Sequence, residues 1–429
     1  MKIFLRGIIA SFLSMLLIFP VIASARESNS ISSNPAATNT LAGTAALQKA
    51  IEKRLGITND HGIRLGGAWV GDINELFSGG VHDADHFSAN SLFQLSLSAD
   101  GEKMAGWKGS LFDIELLQFN GQNTNGEAGS VQGYNSLPGP PPLNRTELYQ
   151  LWYRQELFDE KVIFRIGKSV PTFDFNNVIN RVPLNHTDIP AVTGLIYTPI
   201  FVNASLIGVL PGYYNSAYGL ELTIAPTKQW YLSAAVYDGN GAQDVQTGIK
   251  VGPTLNGVYF YIGETGFSWL LGKNEKPGKL GLGVWHQDGP ITGSPDLVEN
   301  AASGFYLFGS QRLWYKDPGV NYSGISGFYQ YGINNSDVLP MQQYVGAGLT
   351  GFGLIPQRIG DTIGAGFALS WLNQESFSRR TELMFQAYYQ TEIIKHVILE
   401  PVISYIPTPG AASDLNPAWA GTLRAVILF

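Results

Sequence analysis

The chain has 429 residues, of which only 14% are charged and 12% aromatic, with 50 glycines, no cysteine and a formal net charge of −7. A soluble protein carries about 25% charged residues; the totals also exclude disulfides and thiolate metal sites and, being acidic, argue against nucleic acid as a partner. A helical membrane protein is excluded too, because runs of roughly 20 apolar residues are needed and only the amino terminus has one.

In chain order, Met1 to Ala25 reads as a secretory signal (1–25). Lys2 and Arg6 form its charged start, Ile8 to Ile22 its apolar core, and Ala23-Ser24-Ala25 its small-residue cleavage site. Removing Lys2 and Arg6 takes the net charge from −7 to −9. No cysteine follows the site, so lipid attachment there is not expected. Residues 26–60 form a leader. Arg26 to Thr40 is rich in Ser, Asn, Ala and Thr and reads as flexible. Leu47, Ala50, Ile51 and Leu55 recur at helical spacing beside Glu52, Lys53 and Arg54, and Gly56 sits where a cap belongs. This predicts a short amphipathic helix over 41–55, either in the periplasm or in the mouth of a barrel.

From 61 to 429 the texture is of strands of about ten residues separated by turn chemistry. The strands expected are 62–73, 88–99, 108–119, 147–157, 161–168, 216–225, 228–237, 257–270, 279–287, 303–315, 321–332, 343–354, 361–372, 381–391, 396–406 and 418–429. That makes sixteen, an even number that leaves both chain ends on one side of a membrane. Connections expected on that side are short: Asp159-Glu160, Pro226-Thr227, Lys273 to Gly278, Lys316 to Gly319, Pro356 to Gly360 and Ile393 to Lys395. Those between them are generally longer: Asn120 to Thr146, Ser169 to Asn215, Asp238 to Asn256 and Asp288 to Ala302. Alternating loop length marks an all-β transmembrane antiparallel barrel; a soluble sandwich or propeller has no reason for it.

Successive strand residues face opposite sides. Leu383, Phe385, Ala387 and Tyr389 oppose Glu382, Met384, Gln386 and Tyr388; Tyr149, Leu151, Tyr153 and Leu157 oppose Gln150, Trp152, Arg154 and Glu156. Trp69, Trp230, Trp314 and Trp371 suit the aromatic girdles at the two interfaces. Pro401 cannot donate to a ladder, so a bulge is expected there. In the last stretch Trp419, Gly421, Leu423, Ala425, Ile427 and Phe429 share one face, with Thr422 and Arg424 on the other. A terminal Phe429 after alternating apolar residues resembles the signal by which bacterial outer-membrane barrels are recognised by their assembly machinery.

If the outward face meets lipid, the inward face decides function. Arg or Lys against lipid costs about 2–4 kcal/mol at the midplane, so charged strand residues belong inside. The inward candidates are Asp113, Glu115, Trp152, Arg154, Glu156, Arg165, Lys168, Glu221, Trp285, Glu382, Gln386 and Glu400. A lumen lined by both signs, with amides and aromatics between, suits a neutral polyhydroxylated solute. Structural ion pairing within the lumen is the competing role for each. The connection 169–215 is too long for a turn and holds Phe173, Asp174, Phe175, Asn176, Arg181, His186 and Asp188. It is either a loop that enters and narrows the lumen or an external flap. His82, Asp83, Asp85 and His86 do not have zinc spacing and read as a solvated turn. No G-x-S-x-G and no phosphate-cradling glycine loop occurs, so no enzyme, metal or cofactor is expected.

The run "ELYQLWYRQELFDEKVIFRIGK" over 147–168, followed by Pro171 and Asp174-Phe175-Asn176, resembles the carbohydrate-selective porin (OprB) family of the bacterial outer membrane. So do "WYLSAAVYDG" at 230–239, "GVYFYIGETG" at 257–266, "KLGLGVWHQDG" at 279–289 and the run 382–405. The resemblance spans roughly 60 to 429. It implies a sixteen-stranded barrel that passes glucose and other sugars by diffusion through a pore narrowed by inward loops. The resulting expectation is a passive sugar porin embedded in outer-membrane lipid. Its alternatives are a general or ion-selective porin and, further off, an outer-membrane barrel enzyme. Whether such barrels associate as a homotrimer is left open by the residues.

Overall fold

Alternating residues separated by short polar turns fold here into sixteen antiparallel strands, each paired with its chain neighbours and the last with the first. They are β1 (Ile63–Gly80), β2 (His86–Asp100), β3 (Ser110–Asn120), β4 (Asn144–Leu157), β5 (Val162–Ser169), β6 (Ala217–Thr227), β7 (Trp230–Asp238) and β8 (Tyr259–Leu271). The second half comprises β9 (Lys276–Thr292), β10 (Val298–Tyr315), β11 (Gly324–Asn334), β12 (Met341–Phe352), β13 (Thr362–Leu372), β14 (Thr381–Ile394), β15 (Val397–Ile406) and β16 (Asn416–Leu428). The computed structural model describes residues 62–81, 86–138, 143–176, 193–200, 203–204, 209–212, 215–239, 252–292 and 297–429. The expected signal, leader and helix at 41–55 lie outside the described residues, as do His82, Asp83, Asp85, Arg181, His186 and Asp188. Among the described residues no helix is long and apolar enough to cross a membrane.

The two faces of the wall differ as a lipid–water boundary requires. On β3, Phe112, Ile114 and Leu116 are exposed, while Asp113, Glu115 and Leu117 between them are buried. On β16, Trp419 and Leu423 point out, while Thr422 and Arg424 are buried inside. Closure removes the unpaired edges that an open sheet would present to hydrocarbon. The seam runs from Ala68↔Leu428 to Gly80↔Asn416, with Asp72 opposite Arg424 and Asn74 opposite Thr422. Phe429 continues it, exchanging backbone bonds with Gly67 and stacking on Phe93 at 5.7 Å. Arg424 donates through Nε to Asp72 at 2.7 Å and through Nη2 to the same carboxylate, both side chains wholly inaccessible.

The structure corrects four readings. Tyr149 is buried inside, not outward: β3 pairs Glu115 with Gln150 but Leu116 with Leu148, so Tyr149 is an extra residue in a bulge. No bulge occurs at Pro401. It faces Leu423 in unbroken register with β16, and pairing with β14 runs from Tyr388↔Val402 to Thr391↔Leu399 in one register. The ladder to β14 simply opens at the proline's rung, where the missing N–H falls. The long loop expected over 288–302 is mostly strand, because β9 and β10 continue as a hairpin to Thr292 and Val298. There the outer face turns polar: His286 bonds Ser303 at 2.7 Å and Asp288 at 3.0 Å, so this extension lies past the greasy band. The turn expected at Pro226-Thr227 falls two residues later, since β6 runs through Thr227.

Trp230 and Trp314 stand exposed at the short-turn rim, and Trp371 lies next to the last residue of β13 at the opposite rim. Trp69 is level with the chain's end, opposite Ile427. Tyr405 stacks on Trp419 at 4.4 Å at the long-loop rim. Rings at both rims therefore bracket an aliphatic band. Leu423→Arg, in mid-strand on the outer face, is expected to destabilise the folded barrel by about 2–4 kcal/mol. Ser98→Arg, on the lumen face, should cost far less. Urea titration in lipid vesicles, read by gel mobility, measures both, and equal losses would contradict the assignment of faces.

Candidate constriction of the lumen

Inward side chains form two zones. The first lies on β4 to β7, where hydrogen-bonded rungs bring charges from separate strands side by side. Arg154 is opposite Arg165, and Arg165 is opposite Glu221. Two cations on adjoining strands repel one another, so each is matched. Arg154 pairs with Glu156, while Arg165 pairs with both Glu221 and Asp174. Asp174 arrives on a one-turn helix, α1 (Pro171–Asp174), directly after β5; the proline at its first position fixes the turn that carries the carboxylate back over Arg165. The Arg165 guanidinium also lies 5.4 Å from the ring centre of Trp152. Arg154, Arg165, Asp174 and Glu221, with Ile163, Thr223, Tyr231 and Ser233, border a gap of about 470 Å³, part of it open solvent. Thr223 and Ser233, register partners on β6 and β7, share a hydrogen bond of 2.6 Å along its wall.

Beside this gap runs a polar ladder. Gln94 and Gln150 both donate to Glu115 at 2.7 Å, and Ser96 donates to Asp113 at 2.9 Å. Each carboxylate accepts bonds from neutral donors, the condition for keeping such groups out of bulk water. Lys168 is buried, its Nζ turned back to the carbonyl of Leu148 at 2.7 Å. Asn176 adopts φ +52°, and its backbone N–H reaches across to Glu264 at 2.7 Å. Trp285 is buried against Phe260, with ring centres 6.3 Å apart.

The second zone is filled by chain. Residues 128–138, from the β3–β4 connection, and 193–200, from the β5–β6 connection, are buried within the cylinder. Glu382 and Gln386, which the alternation places inside, do not border the gap; both bond these segments. Burial, together with the nearby Asp72 and Glu127 carboxylates, pushes the Tyr134 hydroxyl above its solution value, and burial does the same at Tyr197. Neither inserted segment gains charge there. Asn135 meets the seam, donating to Asp72 at 2.9 Å and to Asn74 at 2.6 Å and accepting from Arg424 at 3.2 Å.

Sequence reasoning passed over Asp72, Asn74, Asn135, Glu264 and Tyr231. Asp72 and Asn74 were findable: they alternate with Gly71 and Ile73 near the chain's start, just as Thr422 and Arg424 do near its end. Asn135 carries no such signal, because loop residues have no periodicity to read.

Residues 87–429 match the family described as carbohydrate-selective porin, OprB family. Porin B of Pseudomonas aeruginosa is 22% identical over 409 residues, covering 84% of this chain and 86% of that protein. Among solved structures, the high-pH structure of Pseudomonas putida OprB superposes with a TM-score of 0.73 at 17% identity, covering 89% of this chain and 97% of that one. The low-pH structure of Pseudomonas putida OprB gives 0.58 at 15% identity, covering 93% and 100%. These structural likenesses attest the fold.

Removing one partner of a buried ion pair strands the other. Arg165→Ala leaves Asp174 and Glu221 without their cation and is expected to cost about 3–5 kcal/mol. Urea unfolding in vesicles reads this as a lowered midpoint, and a wild-type midpoint would show that the pairing does not stabilise the barrel.

Proposed function

The chain belongs to the carbohydrate-selective porin (OprB) family of the bacterial outer membrane, and from that premise we propose that it passes glucose and other mono- and oligosaccharides by passive diffusion through the gap beside β4 to β7. The observation that carries this reading is that every charged side chain bordering the gap is paired, two guanidiniums with three carboxylates. Arg154 faces Glu156, and Arg165 faces Asp174 and Glu221, around hydroxyls of Thr223, Ser233 and Tyr231. An ion gains little from a wall whose charges are already paired. A sugar can exchange its water hydrogen bonds for guanidinium donors and carboxylate acceptors, and release them one after another on leaving. No binding step needs to be tight, and tight binding would slow exit.

On this reading residues 1–25 direct export and are removed, and the β16 segment ending at Phe429 presents the chain to the barrel-assembly machinery. Asp113, Glu115, Lys168, Asn176 and Trp285, all buried, and the half-buried Trp152 shape the wall around the path rather than touch the solute directly. A general or ion-selective porin is the second reading, favoured by the excess of carboxylates over cations along β3 to β6.

The test is Arg154→Ala. It leaves Glu156 unpaired beside the gap and is expected to change the rate at which vesicles swell in a panel of mono- and disaccharides. Wild-type swelling and wild-type single-channel conductance together would remove Arg154 from the path. Absence of saturable sugar block of the wild-type current would favour the ion-selective reading instead.

A further inference from the structure

We infer that the two inward segments, 128–138 and 193–200, form one insert hung from Glu382 and Gln386 of β14, and that this suspension sets the width of the bore. The inference rests on the channel reading but not on the identity of the solute. Irregular backbone inside a barrel must find partners for its own N–H and C=O groups. The wall supplies several of them at two residues on one face of one strand. The Glu382 carboxylate accepts from Ser130 Oγ at 2.6 Å, Val131 N at 2.7 Å, Gln132 N at 3.1 Å and Gly410 N at 2.7 Å. Four residues on, Gln386 holds both segments at once: Oε1 accepts from Ile196 N at 2.5 Å, while Nε2 donates to the Tyr134 carbonyl at 2.9 Å.

The segments are also tied to each other. Thr198 N donates to the Gly133 carbonyl at 3.0 Å. Asn203 Nδ2 donates to the carbonyls of Val131 at 3.2 Å and Gln132 at 3.1 Å. The wall beneath them is cut away to receive them. A Cβ at Gly366 would stand 2.4 Å from Leu195 Cδ1, and one at Gly332 would stand 2.2 Å from Ile200 Cγ2. Here glycine's use is space, not backbone freedom.

Loss of Gln386 therefore orphans one donor on one segment and one acceptor on the other. Loss of Asn203 removes two of the three direct bonds between the segments without touching the wall, leaving Thr198 to Gly133. If they move as one body, either loss releases both, and the effects do not add. Glu382 and Gln386 are then positioning residues: they act on a permeating solute only through the insert.

The experiment is single-channel recording in planar bilayers, in potassium chloride without sugar, using the full-length protein and the variants Gln386→Ala, Asn203→Ala and the double. Heat-modifiable gel mobility confirms that each is a closed barrel. The expected result is a severalfold rise in conductance for each single variant and no further rise in the double, with trisaccharides entering vesicles faster than through the wild type. Gln386→Glu, which keeps the acceptor for Ile196 and loses the donor to Tyr134, should fall between. Wild-type conductance in both single variants, or rises that multiply in the double, would overturn the single insert. If Gln386→Ala does not close, Asn203→Ala decides the matter alone. Because the recording contains no sugar, failure of the sugar reading leaves this outcome standing.

Discussion

The constraint on which everything else rests is that hydrocarbon offers no partner to a peptide group. A strand crossing a bilayer must be bonded on both edges, so the sheet has to meet itself. Here the meeting is made by β1 and β16, from opposite ends of the chain, and the polar rungs Asp72–Arg424 and Asn74–Thr422 fix their register from inside. A slip of one residue would turn Arg424 to lipid and Leu423 inward, a penalty on both faces at once. The charged pair therefore specifies alignment as much as it stabilises.

Once the cylinder is closed, its interior becomes a second folding problem. An empty sixteen-stranded bore would be wide and wet. Among the described residues this one is reduced by two stretches of chain that pack against β11 to β14 and the β1–β16 seam, with a gap on the other side beside β4 to β7. The side that is filled is rich in glycine and aromatic rings: Tyr344 lies over Gly346, and Tyr388 over Gly364. The side that is left open carries paired charges and hydroxyls. Among the described residues, packed segments and the charged gap thus lie against opposite walls.

Much of this was legible in the residues, and the limits are physical. Period-two alternation says which way a side chain points, and it did so for Leu383 to Tyr388 and for Trp419 to Phe429, because lipid on one side leaves no latitude. It failed at Tyr149, where a bulge inserts one residue and the phase changes, and no local signal marks a bulge without glycine. It overestimated the connection after β9, since a hairpin can continue beyond the bilayer with polar outward residues such as His286 and Asp288. Inside the lumen, alternation gives direction but not company. Glu382 reads as a lumen charge on the same grounds as Arg165, yet one meets three backbone N–H groups and a hydroxyl and the other meets two carboxylates. What a lumen residue touches depends on where a loop docks, and that is decided by the whole cylinder.

Asn135 carries a consequence for the order of assembly. It touches Asp72 and Asn74, made early in synthesis, and Arg424, made at the very end. Its seat does not exist until the final strand has docked on the first. Sequence separation of this size makes that contact a late one, so the anchoring of Asn135 at the seam waits on closure of the wall. A chain short of its last dozen residues loses nearly all of β16, leaving the edges of β1 and β15 unpaired and Asn135 without its bond from Arg424.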